Sequence, residues 1–243
     1  MSVFSIFDPA VGLAHTVVAA LAQLLPAAAA IVLFTVCVRL ALHPLARAAA
    51  RGERNRARLA PQVAELNRKH KGRPEKLRAA LAELYREEQA SPFAGCLPML
   101  VQIPFFSVMY RLFTLPTLPS PHGAPNDLLG HTLLTVPLGA HLGDAHGLAQ
   151  FAVFGALYAA LAAVGYAGFR RARRAARANP GAPGAAFAPY LSFGTVLFAA
   201  LVPLAAGLYL LTTTAWTVAE RGLLHREDRP RLPVGQPRSQ PAR

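Results

Sequence analysis

The sequence predicts an all-α, polytopic membrane protein with five transmembrane helices and a cytoplasmic amphipathic helical hairpin. Three observations predict it. The 243 residues are 53% hydrophobic and only 15% charged, where soluble domains run about 45–50% apolar and about 25% charged. The net charge is nonetheless +13, from 25 Lys+Arg against 12 Asp+Glu. The basic residues are gathered into blocks, and apolar stretches of membrane-crossing length separate them.

The blocks decide between a membrane and a nucleic acid as the reason for the charge. Residues 1–38 and 112–169 hold no Lys or Arg. Segment 43–92 holds twelve Lys/Arg against six Asp/Glu, segment 170–186 five Arg and no acid, and segment 221–243 six Arg against two acids. Loops that alternate across a bilayer segregate in this way under the positive-inside rule. A DNA-binding protein has no reason to divide its basic surface with apolar 20-mers, so DNA is not expected as a partner.

The elements follow in order. Residues 1–25 form an outer N-terminal segment in which 10–25 read as an interfacial helix, set off by Pro26. The first basic residue is Arg39, so no positive n-region marks a signal peptide and the segment is expected to be retained. The first span is 26–45 and carries one charge. Residues 46–92 form the cytoplasmic basic hairpin. Leu59, Val63 and Leu66 mark one apolar stripe, and Leu77, Ala80, Leu81, Leu84 and Tyr85 a second. Gly72 and Pro74 supply the turn and the next helix start.

The second span is 93–115, with Pro98 and Pro104 inside it, and an irregular outer loop of 116–147 follows, with a short apolar helix near 127–135. The third span is 148–169, and 170–186 is a basic cytoplasmic loop. Residues 187–220 are too long for one upright span, and Pro203 divides them into a fourth span, 187–201, and a fifth, 203–220. The basic tail, 221–243, then lies in the cytoplasm and the N-terminus outside. Cys37 and Cys96 sit at or near spans and suggest no disulfide framework.

Arg39 is the sharpest functional feature. It lies about 5 Å from the middle of a 26–45 span, where an arginine costs roughly 2.5–3.5 kcal/mol. No span supplies an interior carboxylate, and Glu220 stands at the inner end of the last one. A hydrophilic, hydrated cavity is the expected compensation, against the blander alternative of snorkelling to the headgroups. Gln102, Gln150, Ser192, Thr195, Thr212, Thr213, Thr214 and Trp216 are the polar residues available to line it.

Other chemistry is not indicated. The loop histidines His122, His131, His141 and His146 match no metal-ligand spacing. No nucleophile motif, zinc-protease motif or phosphate-cradling loop is present. Neither an enzyme, a cofactor nor a metal is expected. A small anion transporter using Arg39 is the competing function, although no internal repeat supports it.

Three motifs resemble one family. They are VRLALHPL (38–45), LYREEQASPFAGCLPMLVQIPFFSVMYRLF (84–113) and LVPLAAGLYLLTTTAWTVAER (201–221). In that order, across roughly 20–220, they are similar to the YidC insertases, relatives of the mitochondrial and chloroplast Oxa-type insertases. The resemblance implies a five-helix core around a hydrophilic groove open to the cytoplasm and to lipid. It implies an insertase and chaperone for integral membrane proteins in the bacterial cell membrane. Clients would be newly made membrane proteins, and further partners the ribosome, the Sec translocon and membrane lipids. The family's groove arginine carries over to Arg39; Gln102, Thr213 and Trp216 complete the expected client-binding groove. Composition and the lack of a large domain ahead of the core suggest a short, Gram-positive or actinobacterial-like member.

Overall fold

Proline placement and apolar run length set the helix boundaries. The computed structural model describes residues 7–88, 97–118, 123, 125–178 and 186–227. The chain is mainly helical there. Helix α1 spans Asp8–Ala22, with Pro9 in its first turn, where the missing N–H costs nothing. Pro26 caps α2, Ala27–Ala41. Pro44 cannot continue that helix, because its ring clashes with the carbonyl four residues back. The chain bends by 55° at Leu42, and α3 runs His43–Lys69. A turn holding Gly72 at φ +81°, open to glycine because it has no Cβ, leads to α4, Pro74–Glu87. Helices α3 and α4 pack as a pair.

Helix α5 is Leu97–Thr114. The connection that follows holds two 3₁₀ turns, Asp127–Gly130 and Leu142–Asp144, and a short antiparallel pair, β1 Thr132–Leu133 and β2 Val136–Pro137. The short helix expected near 127–135 is therefore one 3₁₀ turn and a hairpin. Val136 and Leu138 both bury their side chains, and that two-residue period belongs to a strand. Helix α6, Leu148–Ala178, does not stop at Phe169; Arg170–Arg177 contains no Gly or Pro and continues it. A 3₁₀ turn, Tyr190–Phe193, leads into α7, Gly194–Ala199. Pro203 precedes α8, Leu204–Glu227.

Among the described residues, α6 is the helix that is by itself long and apolar enough to cross a membrane; the bent pair Ala27–Ala41 and His43–Gly52 is a second candidate. Helices α1 and α7 are shorter, and α8 has 24 residues but carries Thr212–Thr214 and Glu220.

Helix α8 is the hub, packing on α2, α6, α5 and α7. The core gathers Ile31, Met109, Phe113, Phe154, Leu161 and Tyr209, and α1 adds Val11 and Val18. These residues sit toward the end of the bundle that bears the 116–147 loop. Polar groups tie that end together. Arg111 Nη1 meets Asp8 Oδ1 at 2.7 Å. Asn126 Nδ2 donates to the carbonyls of Leu112 and Leu115 at 2.7 and 3.0 Å, which satisfies acceptors freed at the end of α5. The N–H groups of Leu204 and Ala205 donate to Ala140 O and Leu138 O at 2.9 and 2.8 Å, so the loop caps α8.

Candidate functional site

The opposite half of the bundle, nearer the α3–α4 hairpin, is polar and less tightly filled. Arg39 lies in the last turn of α2, three residues before the bend. It is half-buried, and its Nε and Nη2 donate to Thr213 Oγ1 at 3.0 and 2.8 Å. A guanidinium has five donors, so this one hydroxyl leaves most of its capacity uncommitted among the described residues. Thr213 is singular in its run. Thr212 and Thr214 donate back to Leu208 O and Leu210 O within their own helix, whereas Thr213 turns to the arginine.

Thr213, Trp216 and Glu220 stand at i, i+3 and i+7, on one face of α8. The indole Nε1 of Trp216 is buried with no acceptor among the described residues. Glu220 is 8% exposed and bonds His43 Nδ1, the residue one turn beyond Arg39 across the bend. Two rungs therefore join α2 and α3 to α8: Arg39 with Thr213, and His43 with Glu220. Leaving a buried carboxylate unmatched costs several kcal/mol, and His43 removes that cost without occupying Arg39.

The structure brings Arg39 and Thr213 together and puts Trp216 on the same helix face. The side chain of Gln102 lies outside the described residues. Gln150 is elsewhere: its Nε2 donates to Thr135 O at 3.2 Å at the loop end, so it does not line a cavity with Arg39. Ser192 packs against Gly165 and Gly168 of α6. His43 was missed by sequence reasoning. Its partner Glu220 is 177 residues away, so no local signal marked it. Of the loop histidines, His122 lies outside the described residues, and no His/Cys/Asp/Glu cluster able to hold a metal occurs among those described. Cys37 is an exposed thiol and Cys96 lies outside the described residues.

A long apolar helix and a bent helix ending on an arginine fit the class of helical membrane proteins. Residues 21–230 match the model of the family described as the 60Kd inner membrane protein, and the chain belongs to that family, the YidC and Oxa-type family. Its relatives include proteins named membrane protein insertase YidC. The one from Helicobacter pylori strain ATCC 700392 / 26695 is 42% identical over 83 residues, 34% of this chain and 15% of the relative. That from Pelagibacter ubique is 42% identical over 83 residues, again 34% and 15%. That from Caulobacter vibrioides strain NA1000 / CB15N is 40% identical over 85 residues, 35% of this chain and 14% of the relative. The aligned stretch thus spans about a seventh of these relatives' length. The family is one of insertases rather than enzymes.

Proposed function

We propose that the chain is a membrane protein insertase and chaperone that works through a hydrophilic groove open to the cytoplasm. The observation that carries this reading is Arg39, held in the polar half of the bundle by a single hydroxyl with its remaining donors uncommitted among the described residues. The groove is walled by α2, α5 and α8, with Arg39, Thr213 and Trp216 on its surface and Gln102 of α5 as a further client-binding residue. Five spans enclose it: α2, α5, the apolar part of α6, the 187–201 segment and α8. The fourth is the shortest. Its helical part is the turn Tyr190–Phe193 with α7, and Ser192 within it packs on Gly165 and Gly168 of α6. The N-terminus is outside, and the hairpin, the end of α6 and the tail are cytoplasmic, as the segregation of Lys and Arg requires.

The mechanism follows from this geometry. A polar client tail enters a groove that already supplies donors, which shortens the hydrocarbon path left to cross. Arg39 attracts acidic groups on the tail, and reduced screening between helices strengthens that attraction. The packed loop end stops the tail from leaking through. The client's apolar segment then leaves sideways into lipid, and its burial drives the step. No nucleotide chemistry enters. The ribosome and the Sec translocon are the expected delivery partners.

Depletion and rescue tests the proposal. A bacterium is depleted of its own insertase and supplied with this chain or with Arg39→Ala, and protease protection of a short single-span client is scored. Wild type should rescue. A hydrogen bond to a charged group contributes about 1.5–3 kcal/mol, so Arg39→Ala should slow acidic-tailed clients about 10- to 100-fold and neutral-tailed ones little. Equal insertion of both client types by the variant would remove the role of Arg39. A well-expressed wild type that fails with several clients, yet supports Arg39-dependent anion flux in proteoliposomes, would favour the transporter.

A further inference from the structure

Helix α6 carries Arg170, Arg173 and Arg177 at i, i+3 and i+7, one stripe that begins where its apolar run ends at Phe169. Beside the stripe is an open pocket of about 440 Å³, lined by Phe169, Arg173, Ala176, Arg177, Pro189 and Tyr190. Its walls are fixed. The rings of Phe169 and Tyr190 stand 5.6 Å apart, Phe169 also meets Phe193 at 5.7 Å, and the Arg173 guanidinium lies 5.8 Å from the Phe169 ring centre. Among the described residues neither Arg173 nor Arg177 has a carboxylate partner. Arg171 is used differently, since its Nη1 donates to Val218 O at 3.2 Å and ties α6 to α8. Close to the lining residues in sequence, Phe187 and Leu191 are about three-quarters exposed.

We propose that this pocket is a binding site for the headgroup of an anionic phospholipid. The chemistry matches part by part. Two guanidinium groups one helical turn apart suit a phosphodiester, which arginine can grip with paired donors. The Phe169 and Tyr190 rings offer an apolar wall for the glycerol and upper acyl carbons. The exposed Phe187 and Leu191, either side of Pro189 and Tyr190 in sequence, add apolar surface for a lipid tail. The depth is also right, because the stripe starts at the end of the helix that is long and apolar enough to cross a membrane, where basic residues meet anionic headgroups. The site rests on α6 as a span and not on the insertase activity.

The test uses the full-length chain in phosphatidylcholine nanodiscs that hold a few mole per cent of spin-labelled phosphatidylglycerol. The immobilised fraction is read against spin-labelled phosphatidylcholine. Wild type should prefer phosphatidylglycerol. Each basic residue near anionic headgroups contributes about a fivefold factor, so Arg173→Gln with Arg177→Gln should lower the preference roughly 10- to 25-fold. Arg68→Gln with Lys69→Gln, which removes equal charge from α3, should lower it less than about twofold. Tyr190→Ala should weaken the retained lipid about threefold while leaving both arginines in place. Circular dichroism checks that each variant is folded, and the charge-keeping Arg173→Lys with Arg177→Lys pair should fall between wild type and the Gln pair. Equal retention of the two lipids by wild type would overturn the proposal. So would an equal loss in the α3 control, which would mean diffuse attraction. Displacement of the lipid by millimolar inorganic phosphate would make the occupant a soluble anion. Loss of RNA binding in the Gln pair, with lipid preference unchanged, would give the site to RNA instead.

Discussion

At the loop end, α2, α5, α6 and α8 bring Ile31, Phe113, Phe154 and Tyr209 together, none more than 2% exposed. Toward the hairpin end the same helices change character. Residues 211–218 of α8 are all half-buried, and α2 ends on Arg39 and a 55° bend. The difference is chemical before it is geometric. Large apolar side chains interdigitate at crystal-like density and leave no path for water. A guanidinium, an indole N–H and a row of hydroxyls cannot pack so closely without stranding donors. One set of helices therefore yields a packed, apolar end and a half-buried, polar end. The packed end is further tied by the Asp8–Arg111 pair and by loop carbonyls that cap α8.

The strongest way to break this comparison is to open the packed half. Phe113→Ala removes a fully buried ring that meets Tyr209 at 6.2 Å, and should cost about 3–5 kcal/mol. Arg39→Ala should cost under about 1 kcal/mol, since it forfeits one hydroxyl partner and relieves a desolvated charge. Denaturant unfolding in detergent compares the two. Similar losses would mean that both halves are equally packed. Asp8→Ala comes next, at about 2 kcal/mol for a part-buried ion pair, with proteolysis of the 116–147 loop as a second readout. Gly165→Ala is smaller. A Cβ there would stand 3.0 Å from the Ser192 carbonyl oxygen, so the 190–193 turn must move, at roughly 1–2 kcal/mol. A loss below about 0.3 kcal/mol would show that the turn yields freely.

Much of this was legible in the sequence, because it depends on local rules. Apolar run length marked the main helices, and Gly72 with Pro74 marked the hairpin turn. Arg39 stood out as a charge in an apolar run, and its neighbour Thr213 was among the polar residues picked to face it. What escaped depends on contacts between distant segments. His43 and Glu220 are 177 residues apart, and no local pattern pairs them. The β1–β2 hairpin forms because Val136 and Leu138 find a core and the Leu138 and Ala140 carbonyls find the start of α8. The extension of α6 through Arg177 was readable in hindsight: Arg and Ala favour helix, and the first breaker is Pro180.

The smallest expected effect sharpens the boundary between the halves. Trp216 is the chain's one tryptophan, and its buried Nε1 has no acceptor among the described residues. A stranded donor costs about 1–3 kcal/mol in the folded state. Trp216→Phe removes that donor and also removes the second ring, whose lost packing costs a similar amount. The two should nearly cancel, leaving stability within about 1 kcal/mol of wild type. Insertion of polar-tailed clients should nonetheless fall, because in the proposed groove the indole N–H is a donor held for the client. A loss above about 2 kcal/mol in denaturant unfolding would assign Trp216 to the packed half, and the polar half would then extend no further than Thr213. Unchanged stability with unchanged insertion would leave the indole outside the client's path. Unchanged stability with impaired insertion is the outcome that separates a lining residue from a packing one.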